Sequence, residues 1–220
     1  MAEAGPVAVA VSTVIFGLRE AGGALRVHLP LVRRVREPHL GRWALPGGPL
    51  HAAESLREAA RRTLADTTGL HPRHLEQLYT FGAVDRGGGG DRLVSIVYWA
   101  LVRTDEAART RDDENVAWYP VGALPPLAFD HDEIVGWAVR RLVNKLEYTR
   151  LSHALLPEEF TLGQLREVHE AILGRRLDPA NFRRRAEASG TVAPTGEHQA
   201  GVRHRPPALY RSTAAEELLQ

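Results

Sequence analysis

The chain has 220 residues, a length that allows one large domain or a medium domain with a small one attached. Apolar residues at 44% and charged residues at 25% exclude a fully disordered chain, and the absence of cysteine excludes a disulfide scaffold, cysteine-ligated zinc and a thiol nucleophile. A formal net charge of +1 by itself speaks against a protein that coats nucleic acid or a membrane, although 28 residues are basic and all of them except Lys145 are arginines.

The uncharged stretches of the chain are short. The two longest, 4–18 and 115–129, hold 15 residues each, fewer than the roughly 20 apolar residues that a membrane span needs. The N-terminal stretch also lacks the basic start and the small-residue cleavage site of a signal peptide. We therefore expect a cytoplasmic protein that does not associate with membranes.

The first part of the chain predicts strands around one strong helix. The helix covers Glu54 to Thr67, whose apolar residues lie on adjacent faces, and Gly69 follows at the usual C-terminal position. β-Branched and alternating runs predict the strands, and Gly87 to Gly90 predicts a flexible loop between two of them. The predicted strands are 7–16, 25–32, 75–84, 92–102 and 116–121, and helical periodicity returns over 132–145.

The pattern changes after Tyr148. A helix is predicted over 160–173, with Thr161 as N-cap and Gln164 three residues later, the spacing of a capping box. Asp178 followed by Pro179 predicts the start of a second helix, which runs to Gly190. Short strands at 192–193 and 208–210 flank a basic loop. We predict an α/β domain over 1–148, a linker over 149–157 and a small helical domain over 158–220.

A spaced motif follows the sequence WALPGG at 43–48. Gly48, Glu54, Arg62 and Gly69, with Leu64 and Leu70 between and after them, stand at fixed intervals. This spacing resembles the Nudix box, and the resemblance implies a Nudix-type α/β/α sandwich with a mixed sheet over about 145 residues. In that family the helix of the box projects glutamates toward divalent ions that bind a diphosphate, and the pair equivalent to Glu54 and Arg62 braces the loop to the helix.

The chain departs from the box at three positions expected to ligate metal. They hold Thr63, Asp66 and Thr67, and threonine hydroxyls add no negative charge to a two-metal site. Glu54 and Asp66 remain as residual metal candidates, so the role of Mg²⁺ stays open. Glu58 favours ion pairing with Arg61 and Arg62 over metal ligation. We expect no catalytic residue and at most weak residual hydrolysis. The alternative interpretation of the segment is an amphipathic helix after a Gly-Gly turn in an unrelated α/β protein.

The two helices of the second part form a helix-turn-helix candidate. A helical wheel places Phe182, Ala186, Ser189 and Pro179 inward. It places Asn181 and Arg184 outward with Arg183 and Arg185 on the flanks, residue types that hydrogen-bond base edges. Arg203 and Arg205 lie in the loop that would form a wing. Between 172 and 211 eight arginines stand against three acidic residues, although a solvated arginine-rich helix would show a similar run.

The two halves together resemble the Nudix-related transcriptional regulators of the NrtR family. Further similarity lies in AFDH at 128–131, NKLEYT at 144–149, LPEEFTLGQLREVHEAILG at 156–174 and LDPANFRRR at 177–185. The resemblance implies a homodimeric repressor of NAD biosynthesis or salvage genes. It also implies a winged helix that binds double-stranded DNA at an inverted repeat, and a cleft that takes ADP-ribose or a related NAD metabolite as effector, with no cofactor required.

Candidate residues can be named for both functions. Lys145 matches the junction lysine of the family, expected near DNA, and a helix-end residue with a solvated amine is the equally weighted alternative. In the ligand cleft, arginines would pair with the diphosphate and an aromatic ring would stack on the adenine. For Trp43 and Phe129 the alternative is that the rings are buried in the core. The cleft candidates are Arg33, Arg34, Trp43, Arg62 and Phe129, and the DNA candidates are Lys145, Asn181, Arg183, Arg184, Arg185, Arg203 and Arg205. A nucleotide pyrophosphohydrolase and a sugar-responsive regulator remain the alternative functions.

Overall fold

A computed structural model describes residues 6–72, 75–84, 86, 92–109, 114–148, 151–200 and 206–213. The strands are β1 Val7–Ala21, β2 Ala24–Arg33, β3 Trp43–Ala44, β4 Gly47–Pro49, β5 Leu75–Phe81, β6 Arg92–Leu101, β7 Val116–Pro120, β8 Glu159–Thr161, β9 Val192–His198 and β10 Ala208–Ser212. The helices are α1 Leu56–Thr68, α2 Thr104–Arg109, α3 His131–Tyr148, α4 Leu162–Leu173 and α5 Pro179–Ala188. Within these residues no helix is both long and apolar enough to cross a membrane.

The larger sheet is mixed, as the sequence predicts. Strands β1 and β6 run parallel in one register from Val7 opposite Arg92 to Phe16 opposite Leu101, and β5 pairs with β6 antiparallel. The strand order is β3-β2-β1-β6-β5, with β4 on β1 and β7 on β2. Buried residues run without alternation over 11–18 in β1 and 95–101 in β6, so both faces of the central strands are covered.

The chain divides into two compact units. One unit contains most of the larger sheet, α1 and the first part of α3. The other runs from Leu142 to the C-terminus and also takes in Gly17–Val27 and Val102–Arg109. This division crosses β1, β2 and α3, and the domain limits drawn from the sequence remain predictions.

The second unit contains a three-stranded sheet against the helix pair α4 and α5. Its order is β8-β10-β9, and both neighbours of β10 run antiparallel to it. Phe160 and Tyr210 lie opposite each other in this sheet and are both buried, together with Leu165 and Val168 of α4. Two helices followed by an antiparallel hairpin form the winged helix-turn-helix that the sequence predicts.

The structure corrects several element boundaries. Glu54 lies before α1, because Ser55 is the N-cap of that helix. The predicted helix over 160–173 begins at Leu162, since Phe160 and Thr161 pair with β10. Strand β1 continues five residues beyond Phe16, and α2 has no counterpart in the prediction. The predicted glycine loop at 87–90 lies outside the described residues.

Candidate functional site

Glu54 and Arg62 form the brace that the Nudix-like spacing predicts. Arg62 donates two hydrogen bonds to the carboxylate, from Nε to Oε2 at 2.9 Å and from Nη2 to Oε1 at 2.7 Å. Its Nη2 also reaches the carbonyl oxygen of Pro49 at 3.1 Å, and the N–H of His51 donates to Glu54 Oε1. The hydrogen bonds from Arg62, and then that from His51, lower the pKa of Glu54 to about 2. Both carboxylate oxygens therefore have partners within the protein, and Arg62, also predicted to bind ligand, serves the brace.

The other predicted metal positions are directed back at their own helix or at solvent. Thr63 is buried and donates its hydroxyl to the carbonyl of Ala59 at 2.9 Å, and Thr67 donates to the carbonyl of Thr63 at 2.6 Å. The side chain of Asp66 is 65% exposed and lies 4.0 Å from Arg62 Nη1. No group of three or more His, Asp or Glu residues in the described part of the chain could hold a metal ion. The hydroxyls of Thr63 and Thr67 are thus bonded within their own helix, and neither carries a negative charge.

The hydrogen bonds of Glu58 are with Ser55, and Arg61 adds only a weaker electrostatic interaction. Glu58 Oε2 accepts the N–H of Ser55 at 2.8 Å while the Ser55 hydroxyl accepts the N–H of Glu58, which completes a capping box. Those bonds lower the pKa of Glu58, the backbone bond from Ser55 first. The unpaired N–H groups at a helix start compete better for this carboxylate than neighbouring arginines do.

Arg34 and Phe129 come together from β2's C-terminal end and the loop before α3. The Arg34 guanidinium carbon lies 4.6 Å from the centre of the Phe129 ring, and His39 meets the same ring edge-on at 4.7 Å. Phe129 is half-buried and adopts a φ of 56°, rare for a bulky side chain, which marks a position constrained by its surroundings. Burial lowers the pKa of Arg34, although that guanidinium stays charged at any physiological pH.

The remaining cleft candidates lie nearby in the chain but make different contacts. Trp43 is half-buried and packs edge-on against Tyr119 at 5.4 Å, and its carbonyl accepts the N–H of Ala128. Arg33 is exposed, and its Nε donates to the carbonyl of Gly41 at 3.3 Å. Neither Trp43 nor Phe129 belongs to the buried core, and both residues are partly accessible.

Sequence reasoning missed a buried polar cluster beside Phe129. Arg86, whose side chain is 2% exposed, donates from Nε to Asp130 Oδ2 at 2.6 Å. The adjacent His131 is buried and accepts the N–H of Leu45 on Nδ1 at 3.0 Å. Burial, and then the charge of Arg86, lower the pKa of His131 to about 3, so the imidazole is neutral. The AFDH segment at 128–131 was the only signal in the sequence, and it did not reveal Arg86.

The helix-turn-helix carries the caps that the sequence predicts. Thr161 and Gln164 complete a capping box at α4, and Gly174 ends that helix in the left-handed conformation. Asp178 accepts the N–H of Asn181, and Pro179 occupies the first turn of α5. Phe182 and Ala186 are half-buried as predicted, whereas the predicted inward positions of Pro179 and Ser189 are wrong because both are exposed.

Four of the predicted DNA residues lie on the exposed surface of α5: Asn181, Arg183, Arg184 and Arg185. Arg184 Nη2 donates to Asn181 Oδ1 at 2.7 Å, which couples the two outward side chains. Lys145 is half-buried in the last turn of α3 and belongs to the same compact unit. Arg203 and Arg205 lie outside the described residues.

Family models match both parts of the chain. A model of the NUDIX domain matches residues 8–138, and a model of the NrtR DNA-binding winged helix domain matches residues 153–212. A relative from Acinetobacter baylyi, the ADPR responsive transcriptional repressor NtrR, is 35% identical over 191 residues, which are 84% of this chain and 76% of that protein. An ADP-ribose pyrophosphatase from Methanocaldococcus jannaschii is 33% identical over 105 residues, which are 48% of this chain and 62% of that protein.

Solved structures extend the likeness over the whole fold. NrtR from Shewanella oneidensis matches with a TM-score of 0.80 and 33% identity over 93% of both chains, and its complex with a 27mer DNA matches with a TM-score of 0.78 over the same share. The NUDIX domain of that protein complexed with ADP ribose is 30% identical, with a TM-score of 0.53 over 63% of this chain and 90% of that one. The two domain matches and the identity along most of the length show that the chain belongs to the NrtR family of Nudix-related transcriptional regulators.

Proposed function

We propose that this protein is a transcriptional repressor whose binding to operator DNA is controlled by ADP-ribose or a related NAD metabolite. The observation that carries this proposal is the likeness over 93% of both chains to a regulator solved with DNA, whose NUDIX domain was solved with ADP ribose. The genes it controls would be those of NAD metabolism, and the site of action would be the cytoplasm.

The two functions would occupy the two parts of the chain. Residues 1–148 would sense the effector, 149–157 would link, and 158–220 would bind DNA. The exposed face of α5 supports the second assignment, because Asn and Arg side chains that are free to enter a major groove can hydrogen-bond adenine and guanine edges. A homodimer would place two such helices on an inverted repeat. The predicted DNA residues are the α5 set together with Lys145, Arg203 and Arg205.

The effector would be bound without being hydrolysed. The Arg34 guanidinium and the partly exposed aromatic residues Phe129 and Trp43 are suited to a diphosphate and an adenine ring, and Arg33 and Arg62 remain candidates beside them. Thr63 and Thr67 supply no charge where a hydrolase needs carboxylates, and Glu54 is committed to Arg62. The matched pyrophosphatase favours residual hydrolysis as the second candidate function.

The test begins with the purified full-length protein and a pool of random-sequence duplexes, from which binding and amplification select an operator. Fluorescence anisotropy then measures the affinity for that duplex with added ADP-ribose, NAD, ribose or glucose. We expect an inverted repeat, and a loss of affinity with ADP-ribose that the sugars do not cause. Failure to select any sequence would refute the proposed repressor function. A response to sugars alone would show that the effector is a sugar and not ADP-ribose.

Turnover is measured separately, by following AMP released from ADP-ribose in the presence of Mg²⁺ or Mn²⁺. We expect no release above that of a Glu54→Gln variant. Sustained release by the wild-type protein that this variant lacks would establish the hydrolase and contradict the non-hydrolytic cleft.

A further inference from the structure

Helix α5 has almost no apolar anchorage. None of its ten residues is buried, and only Phe182 and Ala186 are even half-buried. Phe182 meets the His169 ring of α4 edge-on at 5.1 Å. A helix that must present side chains to base edges needs a defined axis and rotation, and apolar packing of this extent does not define them.

A carboxylate of α4 holds the turn that leads into α5. The side chain of Glu170 is only 10% exposed. Its Oε1 accepts the N–H of Leu177 at 2.9 Å, and its Oε2 accepts Arg176 Nη1 at 3.0 Å. Leu177 immediately precedes Asp178, the N-cap of α5, so this bond holds the main chain directly before that helix.

A second carboxylate ties the last turn of α5 to the sheet. Glu187 Oε1 accepts the hydroxyl of Tyr210 at 3.0 Å and also Arg183 Nε at 3.0 Å. Tyr210 is buried in β10, where its main chain lies opposite Phe160 on one side and Pro194 on the other. The hydroxyl therefore connects the exposed helix to the central strand of the three-stranded sheet.

We infer that Glu170, Glu187 and Tyr210 are positioning residues that set the orientation of α5 for sequence-specific reading of operator DNA. The inference rests on the proposed DNA-binding function and assigns these residues no contact with DNA. Contacts to phosphates tolerate small displacements because they depend mainly on charge, whereas bidentate contacts to base edges do not. Loss of a tether should thus reduce specificity and leave non-specific binding in place. Arg183 shares the Glu187 carboxylate, so it would act partly through this tether.

The test compares two DNA affinities in full-length variants. Tyr210→Phe removes only the hydroxyl, and Glu187→Gln keeps an acceptor for Tyr210 but removes the charge that holds Arg183. Glu170→Leu removes the acceptor for Leu177, and Glu170→Gln retains it. Tyr79→Phe, at an exposed tyrosine of β5 in the other compact unit, is the matched control. Anisotropy measures each variant on the selected operator and on a scrambled duplex of equal length, between 50 and 300 mM salt.

We expect Tyr210→Phe and Glu170→Leu to weaken operator binding about five- to tenfold, the change that corresponds to the net contribution of one intramolecular hydrogen bond. Affinity for the scrambled duplex should stay within about twofold, and the salt dependence should not change, because no phosphate contact is lost. The operator affinity of Glu187→Gln should lie between that of these two variants and that of the wild-type protein. Glu170→Gln should retain most of the affinity that Glu170→Leu loses.

Other outcomes refute the positioning role. An equal loss on both duplexes would indicate a general loss of folded protein, which circular dichroism and thermal melting would register. A reduced salt dependence would indicate a direct phosphate contact. If all variants keep the operator preference of the wild-type protein, only the positioning role is refuted. If the wild-type protein itself shows no preference for the operator, the proposed function is refuted as well.

Discussion

Breaking the Arg86–Asp130 pair should destabilise the larger compact unit strongly. The Arg86 side chain is 2% exposed, its Nη1 has no hydrogen-bond partner among the described residues, and the Asp130 side chain is 24% exposed. Asp130→Ala leaves the buried Arg86 guanidinium without its carboxylate partner, which should lower the free energy of unfolding by about 3 kcal/mol. This is the lower end of the cost for buried ion pairs, because Asp130 is partly exposed. For a chain of this size that loss lowers the melting temperature by roughly 6–12 °C.

A double-mutant cycle in urea or thermal denaturation measures the coupling. Arg86→Met in the Asp130→Ala background removes the unpaired charge and should recover a large part of the lost stability. Asp132→Ala, at an exposed aspartate in the first turn of α3, is the control and should change the free energy of unfolding by less than about 0.5 kcal/mol. If the two single changes are additive, or if Asp130→Ala costs no more than Asp132→Ala, the pair does not stabilise the protein as argued.

Three further predictions concern other parts of the molecule. Because the pKa of His131 is lowered by burial and then by Arg86 to about 3, the unfolded chain takes up a proton below its ordinary pKa near 6.5 that the folded chain does not. The stability contributed by the neutral imidazole is therefore complete above pH 6.5, and it falls by up to about 1.4 kcal/mol per pH unit toward pH 3. Measured between pH 5 and 8, the melting temperature of His131→Gln should depend less steeply on pH than that of the wild-type protein. Gly47→Ala places a Cβ 2.6 Å from the main-chain oxygen of Val11 and should lower the melting temperature more than Gly48→Ala, whose Cβ meets only a Thr63 methyl at 3.1 Å. Arg184→Ala should weaken operator binding about tenfold, while Arg57→Ala at an exposed position of α1 should not. Equal anisotropy titrations for the two would overturn the assignment of α5 as recognition helix.

Local signals in the sequence predicted the local geometry well. The caps at Thr161, Asp178 and Gly69 depend on residues within four positions of one another, and each lies where it was predicted. The Glu54–Arg62 brace spans eight positions and was predicted from the family resemblance. The fold class could be predicted for the same reason, because the periodicities that distinguish strands from helices are visible within short segments of the sequence.

Long-range pairing was beyond such signals. Arg86 and Asp130 are 44 positions apart, and Glu187 and Tyr210 are 23 positions apart, so no local pattern connects them. Competition between nearby donors is equally hard to predict: Glu58 has arginines within one helical turn, yet it accepts a hydrogen bond from the main-chain N–H of Ser55. Phe160 was placed in a helix because its partner in β10 lies 50 positions away.

The sequence by itself determined the periodicities, the caps, the Nudix-like spacing with threonines at two metal positions, and the concentration of arginines in the second part. A net charge of +1 concealed that concentration, because acidic residues elsewhere offset it in the sum. Apart from Glu54, only the tertiary structure decided which carboxylates are bonded within the protein. Asp130, Glu170 and Glu187 are all bound to arginines or main-chain N–H groups, since a carboxylate brought near donors by folding is more stable bonded than desolvated alone.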